Sequence, residues 1–173
     1  MPTLVLNSCT IRPWRESDAE SLVRHADNPR VVAYLHAGFP SPYTPQDAVA
    51  WIARNVDPLM VSGLAIEVDG EAAGSIGLRV EDVRQHEAEI GYWLGEACWG
   101  RGIVTEATAA MTCYGIEHLG LRRFEAHIYE PNLASVRVVE KNGYAFDRRL
   151  GERMVRGQMI DLLVYALTVE GAS

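Results

Sequence analysis

The chain has 173 residues, 48% of them apolar and 23% charged, with a net charge of −7 when histidine is counted as neutral. That length suits one compact domain with a core of its own, and the acidic balance disfavours a nucleic-acid binder, which needs a basic face. Apolar runs such as Val31–Leu35 and Leu162–Leu167 are too short to span a bilayer, and the N-terminus lacks a basic stretch followed by an apolar run; no membrane partner is expected, and a cytoplasmic protein is.

A first strand is expected within Leu4–Trp14. Ser17, with Glu20 three residues on, forms a capping-box pattern that opens a helix over Asp18–Ala26, and a shorter helix is expected near Val31–Leu35. Gly38, Pro40 and Pro42 make His36–Thr44 a loop. Thr44-Pro45 then starts a helix with Ala48, Trp51, Ile52 and Asn55 on one face. Asp69-Gly70, between strands at Leu64–Val68 and Glu71–Leu78, is a strong hairpin signal.

A strand at Glu87–Leu94 follows, then a long helix from Gly102 to His118 with Ile103, Ala107, Met111 and Tyr114 at helical spacing, ended by Gly120. A strand at Arg123–Tyr129 leads to a short helix at Leu133–Lys141, closed by Asn142-Gly143. Two last strands, near Tyr144–Leu150 and Met159–Thr168, read as an antiparallel pair. The summed order is a mixed α/β (α+β) domain on one sheet, with a parallel strand–helix–strand crossover over Glu87–Tyr129. No linker or repeat interrupts it, so residues 1–173 read as a single domain. Cys9, Cys98 and Cys113 are odd in number and share no ligand spacing, which predicts neither a disulfide framework nor a metal site.

The informative stretch is EAEIGYWLGEACWGRGIVTE, Glu87–Glu106. It places a glycine-containing loop before a helix N-terminus, whose free N–H groups and positive dipole end suit a phosphate. Gly100 and Gly102 let a backbone approach closely, and Arg101 adds charge at the rim; the same glycines serve a plain tight turn equally well. The P-loop lysine is absent, and Thr105 stands where a dinucleotide fingerprint has its third glycine. Strand alternation puts Glu89, Gly91 and Trp93 on one face and Ala88, Ile90, Tyr92 and Leu94 on the other. Gly91 suggests a bulge or a close backbone approach, or an ordinary core-facing glycine. A pantetheine arm, with its two amides, can pair with such a strand edge. Downstream, Asn132 is placed as an N-cap with Ser135 at the third helical position, near the carboxyl end of the parallel strand.

The runs EIGYWLGEACWGRGIVTEA and NLASVRVVEKNGY resemble the GNAT superfamily of acetyl-CoA-dependent N-acetyltransferases, and look closest to the branch that acetylates ribosomal-protein N-termini. The resemblance extends to Arg12-Pro13 and to Pro42-Tyr43-Thr44, and so covers most of the chain. It implies a twisted mixed sheet of about seven strands, splayed between the fourth and fifth, here Glu87–Leu94 and Arg123–Tyr129. Acetyl-CoA would enter that gap, paired with the backbone of Tyr92, Trp93 and Leu94. Its pyrophosphate would lie on the amides of Gly100, Arg101, Gly102, Ile103, Val104 and Thr105. Asn132 matches the asparagine that bonds the pantetheine arm, and Ser135 a serine near the thioester sulfur. Two positions depart from the pattern: Trp99, where the family commonly has Gln or Arg, and Val104, where it often has Gly or Ala.

The resemblance implies attack by a neutral amine on the thioester, so a base must take a proton from the ammonium form. Glu89 is the candidate base, though its position fits an ion-paired glutamate equally well. Ser135 is the candidate acid for the leaving thiolate, with Tyr129 second. A strand N–H such as that of Leu94 would hold the developing oxyanion. His127 shares a face with Glu125 and Tyr129 and could line the acceptor pocket; His86 could reach the mouth; each reads first as a packed or solvated side chain and only second as a base.

The loop His36–Thr44 and the segment Val80–His86 are expected to wall the acceptor cleft, with Phe39, Tyr43 and Trp51 as aromatic walls or, equally, core residues, and Asp82, Glu87 and Glu89 as an acidic lining. The acceptor would be a peptide or protein N-terminus, or a small amine such as an amino sugar, polyamine or amino acid. A non-catalytic acyl-CoA-binding module is the alternative from another class, and a homodimer is compatible with the pattern.

Overall fold

A computed structural model of the chain describes residues 3–55, 63–80 and 86–169. The described elements run β1 (Leu4–Val5), β2 (Thr10–Arg12), α1 (Ala19–Ala26), α2 (Pro29–Val32), α3 (Pro45–Asn55), β3 (Leu64–Val68), β4 (Glu71–Arg79) and β5 (Glu87–Leu94). They continue with α4 (Ile103–Leu119), β6 (Arg123–Tyr129), α5 (Leu133–Lys141), β7 (Ala145–Val155) and β8 (Gln158–Thr168). Eight strands form one sheet in the order β1-β2-β3-β4-β5-β6-β8-β7. Among the described strands only β5 and β6 are parallel, as the α4 crossover requires.

Most expected elements form where the pattern placed them, and the differences have local causes. The opening strand is two strands, because the chain doubles back at Leu6–Cys9 and pairs Leu4 with Ile11. This brings the sheet to eight strands. Ser17 is not the cap of the first helix. A 3-10 turn over Glu16–Asp18 opens it, and the Asp18 carboxylate takes the Arg15 N–H at 2.8 Å. Asp18 prevails because it also holds the buried Arg12 guanidinium through two bonds of 2.8 and 2.9 Å. The short second helix starts earlier, at Pro29, where the Asn28 side chain caps Arg30 N–H. The last two strands are longer than expected. They meet at Arg156-Gly157, whose φ values of 50° and 84° match the mirror-image turn favoured by hairpins.

The helices cover two faces of the sheet. On one face, Ile103, Ala107 and Met111 of α4 and Val139 of α5 pack on Ile76, Leu78, Ile90, Phe124, Ala126 and Ile128. Each such side chain contributes about 1.5–3 kcal/mol on burial. Gly115 lets α4 lie close: a Cβ there would meet Phe124 at 2.7 Å. On the other face, Leu22 and Ala26 of α1 and Ala48 and Ile52 of α3 pack on Ala65 and Ala72. No helix among the described residues is long and apolar enough to cross a membrane.

Candidate functional site

The sheet opens between β5 and β6. Their ladder has three rungs, Glu87 with Arg123, Ala88 with Phe124 and Glu89 with Glu125, and then stops. Each strand continues on its outer side: β5 pairs with β4 as far as Leu94–Gly74, and β6 with β8 as far as Tyr129–Leu162. A V-shaped gap is left between Ile90–Leu94 and Ala126–Tyr129.

Register decides which backbone groups face that gap. The Gly95 N–H donates to Ala73 O at 2.7 Å, so Gly95 is turned toward β4. Antiparallel alternation turns Trp93 the same way, and Tyr92 and Leu94 toward the gap. Of the three residues expected along the gap, then, Tyr92 and Leu94 direct backbone groups into it and Trp93 does not. The Leu94 carbonyl is already taken by the Trp99 indole N–H at 2.7 Å. Trp99 thus has a structural use at the position where a polar residue was expected, and its exposed ring carries the Arg30 guanidinium 5.4 Å from its centroid. Gly91 shows neither bulge nor close approach; it pairs with Gly77 in regular register, and a Cβ there would meet nothing within 4 Å.

Past β5 the chain enters the glycine loop. Gly100 and Gly102 have φ of 75° and 78°, values that tax any side-chain-bearing residue. The first intrahelical bond of α4 runs from Glu106 N–H to Gly102 O at 3.1 Å, so the N–H groups of Ile103, Val104 and Thr105 have no acceptor within the helix. Val104 packs against the main core. Arg101 reaches Asp69 at 3.1 Å, at the tip of the β3–β4 hairpin. The Glu106 carboxylate is spent on the Ser8 hydroxyl and on the Asn7 and Ser8 N–H groups, the latter both at 2.9 Å, which ties the β1–β2 turn to α4 and lowers its pKa.

The opposite wall is the start of α5. Asn132 Oδ1 caps Ser135 N–H at 3.3 Å, and the Asn132 amide makes no donor bond among the described residues. Ser135 is half-buried, and its hydroxyl likewise makes no bond there. The Tyr92 phenol donates to Ser135 O at 3.3 Å, linking β5 to α5 across the gap. Burial raises the Tyr92 pKa, which keeps the phenol a neutral donor.

On the other face of the same strands lies a charged cluster. Glu89 pairs with Arg79 and stands 3.6 Å from His127 Nδ1. The buried Glu125 carboxylate accepts from Arg148 at 2.7 and 2.8 Å and from Arg123 at 2.8 Å, and lies 3.3 Å from His127 Nε2. The hydrogen bonds from these two guanidiniums outweigh desolvation and lower its pKa to about 2. Asp147 bridges the same two arginines. Glu87 stands 3.6 Å from Arg123 at the closed end of the ladder, away from the gap. Tyr129 is half-buried at the open end of β6.

The aromatic residues of the expected acceptor wall do converge. Phe39 stacks on Tyr43 at 5.1 Å and meets the edge of Trp93 at 6.1 Å, while Arg156 from the β7–β8 turn donates to Phe39 O at 2.9 Å. Burial lifts the Tyr43 phenol to about 12. Trp51 packs against the same cluster from α3. His86 does not reach the mouth: its ring sits 3.0 Å from Gly120 O and its carbonyl accepts Arg122 N–H, bracing the closed end. Asp82 and its neighbours at 81–85 lie outside the described residues. Sequence reasoning did not single out Arg123, Arg148 or Arg156. Alternation puts Glu125 beside His127, but the arginines of β7 come from far along the chain and carry no local signal.

Known proteins share this architecture. The profile of the acetyltransferase (GNAT) domain matches residues 9–145. The uncharacterized N-acetyltransferase p20 of Bacillus licheniformis is 26% identical over 174 residues, covering 96% of both chains. Among solved structures, the ribosomal L7/L12 alpha-N-protein acetyltransferase RimL in complex with coenzyme A superposes with a TM-score of 0.85 at 21% identity, over 97% of this chain and 98% of that one. The microcin C7 self-immunity acetyltransferase MccE, solved with acetyl-CoA and AMP, superposes with a TM-score of 0.82 at 22% identity, over 95% of this chain and 94% of that one.

Proposed function

The chain belongs to the acetyltransferase (GNAT) domain family, and on that premise we propose that it acetylates the α-amine of a peptide or protein N-terminus by direct attack on acetyl-CoA in a ternary complex. The observation that carries this reading is the three-rung ladder between β5 and β6. Beyond it, one gap is faced by free backbone groups of Tyr92 and the N–H of Leu94, by the unpaired N–H groups opening α4, and by the unused amide donor of Asn132. These groups fit the ligand: a strand edge for an amide-bearing arm, a helix N-terminus for a pyrophosphate, and a side-chain donor for the arm's carbonyl.

Acetyl-CoA supplies the thioester carbonyl; this chain's residues orient it and move protons. Leu94 N–H, turned into the gap, holds the developing oxyanion. Glu89, on the last rung before the gap, takes a proton from the acceptor ammonium, and Ser135 gives one to the leaving sulfur. An α-amine titrates near 7.7–8.0 and a lysine near 10.4, so an α-amine asks roughly 2.5 units less of the base. The likeness to RimL supports the same acceptor class.

A small amine is the second reading, favoured by the Arg156–Phe39 contact, which draws the β7–β8 turn against the aromatic loop and narrows the acceptor side. Calorimetry with acetyl-CoA on wild type and Asn132→Ala, then CoA release and product mass with peptides and small amines, tests both. Turnover of peptides with a free α-amine supports the first reading. Turnover of small amines alone supports the second, and a folded chain that binds no acetyl-CoA refutes both.

A further inference from the structure

His127 stands between two carboxylates at the apex of the V. Glu89 and Glu125 form the last rung of the ladder, and His127 is two residues on from Glu125 along the same face of β6. Its Nε2 is 3.3 Å from Glu125 Oε2 and its Nδ1 is 3.6 Å from Glu89 Oε2. Glu125 is 6% exposed and, held ionised by Arg123 and Arg148, can only accept. A neutral imidazole facing such a group carries its proton on Nε2, which leaves the Nδ1 lone pair turned toward Glu89. The 3.6 Å separation is too long for a hydrogen bond, as expected for two facing acceptors. One added proton turns the pair into O–H···N. Above Gly91, the next residue along the same face of β5, a Cβ would meet nothing within 4 Å, so an acceptor nitrogen has room to approach Glu89.

We propose that Glu89, His127 and Glu125 form a proton relay for the acceptor amine: Glu89 takes the ammonium proton, His127 Nδ1 takes it from Glu89, and Glu125 positions the ring. The proposal rests on the acetyltransferase reading above. The ammonium proton passes through Glu89 and His127 to solvent. The freed lone pair forms the C–N bond, the C–S bond breaks, and the second nitrogen proton ends on the leaving sulfur through Ser135. Thus ammonium and thioester give amide, thiol and one released proton.

The chemistry explains why the imidazole matters. An imidazole is by nature a stronger base than a carboxylate, so handing the proton on to it makes deprotonation of an ammonium less uphill. The charged groups around His127 are Glu87 and Glu89 on β5 with Arg79 on β4 behind them, Arg123 and Glu125 on β6, and Asp147 and Arg148 on β7. The residue opposite it on β8 is the apolar Val164.

The test is kcat/KM for an acceptor peptide with a free α-amine, measured from about pH 6 to 9 on the full chain, with acetyl-CoA affinity measured in parallel. His127→Gln keeps a donor toward Glu125 but cannot carry the proton. It is expected to lose about 100-fold at pH 7, with the deficit closing as the acceptor deprotonates itself above about pH 8, and with acetyl-CoA affinity unchanged. Glu125→Gln is expected to lose about 10-fold, because a neutral amide no longer enforces one tautomer. Added imidazole is expected to restore part of the activity of His127→Ala. A His127→Gln enzyme with the wild-type profile, or with a loss equal at every pH, overturns the relay, and it decides the matter even where Glu125→Gln fails to fold. A wild type that neither binds acetyl-CoA nor releases CoA overturns the acetyltransferase reading as well, and is told apart by that binding measurement.

Discussion

Replacing Glu125 with Gln tests whether the cluster behind the gap also holds the fold together. Its carboxyl falls from an ordinary value of 4.5 to about 2. The cause is charge-assisted hydrogen bonding from Arg148 and Arg123, at 2.7 to 2.8 Å, which outweighs the cost of burial. A shift of about 2.5 units corresponds to about 3 kcal/mol. The Arg148 side chain is 44% exposed, so solvent screening reduces this to about 2–3 kcal/mol. Because the folded pKa is depressed, the stabilisation is complete above the unfolded value near 4.5 and is lost as pH falls through about 2. Glu125→Gln keeps the shape, so it should be about 2–3 kcal/mol less stable than wild type in urea at pH 7, and the deficit should shrink to about half or less by pH 3. Asp18, whose partner is Arg12, titrates alike in both proteins and cancels in the difference, whereas Asp147 shares Arg123 and Arg148 with Glu125 and takes up part of the pairing that Glu125→Gln releases. A deficit below about 0.5 kcal/mol at pH 7, or one that stays constant down to pH 3, refutes the argument.

Asn132→Asp and Asn132→Ala separate capping from ligand binding. Both should weaken acetyl-CoA in calorimetry, while only the alanine should lose about 1 kcal/mol of stability through the missing cap, because aspartate still accepts from Ser135 N–H. Gly102→Ala puts a Cβ into open space at φ 78°, so any cost is backbone strain, about 1–2 kcal/mol in thermal melts, together with weaker acetyl-CoA binding as the first amides of α4 turn. Gly91→Leu fills the space beside Glu89; the acceptor KM should rise while acetyl-CoA affinity holds. Asp18→Ala leaves the 2%-exposed Arg12 without its bidentate partner, with Glu67 at 2.5 Å as its remaining carboxylate, and should cost about 2–3 kcal/mol in urea.

The fold was legible wherever local chemistry determines it. Asp69-Gly70, Thr44-Pro45, Asn132 and Gly120 each mark a boundary through a turn or cap that needs that residue type, and the structure ends or begins an element at each. Ser17 misled because the pattern of spacing could not show that a buried arginine six residues before Asp18 would claim that carboxylate. The antiparallel pairing of the last two strands was legible but the place of their turn was not, because Arg156 is an unusual residue at positive φ and only the following Gly157 hinted at it. At the site, the glycine loop, Asn132 and Ser135 lie on contiguous motifs and could be read directly. The Glu125 cluster joins β5, β6 and β7, and the identity of its partners depends on register between strands that are far apart in the chain.

The gap itself is a pairing defect held open from outside. Tyr92, Leu94 and their counterparts on β6 leave backbone groups without ladder partners, at a cost comparable to a lost hydrogen bond for each group kept from water. Nothing in β5 alone forbids further pairing, since it is fully paired with β4 from Arg79–Glu89 to Gly74–Leu94. The divergence instead follows from what each strand is fastened to. β6 follows β8 along its whole length, and the main chain beyond β6 turns at once into α5, where Asn132 N–H bonds Tyr129 O at 2.8 Å. On the other side the Tyr92 ring projects toward α5 and meets the Ser135 carbonyl, so a side chain fills part of the space that a closed ladder would remove. The unpaired edge is therefore stable because two complete ladders and a helix cap hold its strands apart. It is also chemically unsatisfied, which makes a ligand with amides of its own the natural complement to this part of the sheet.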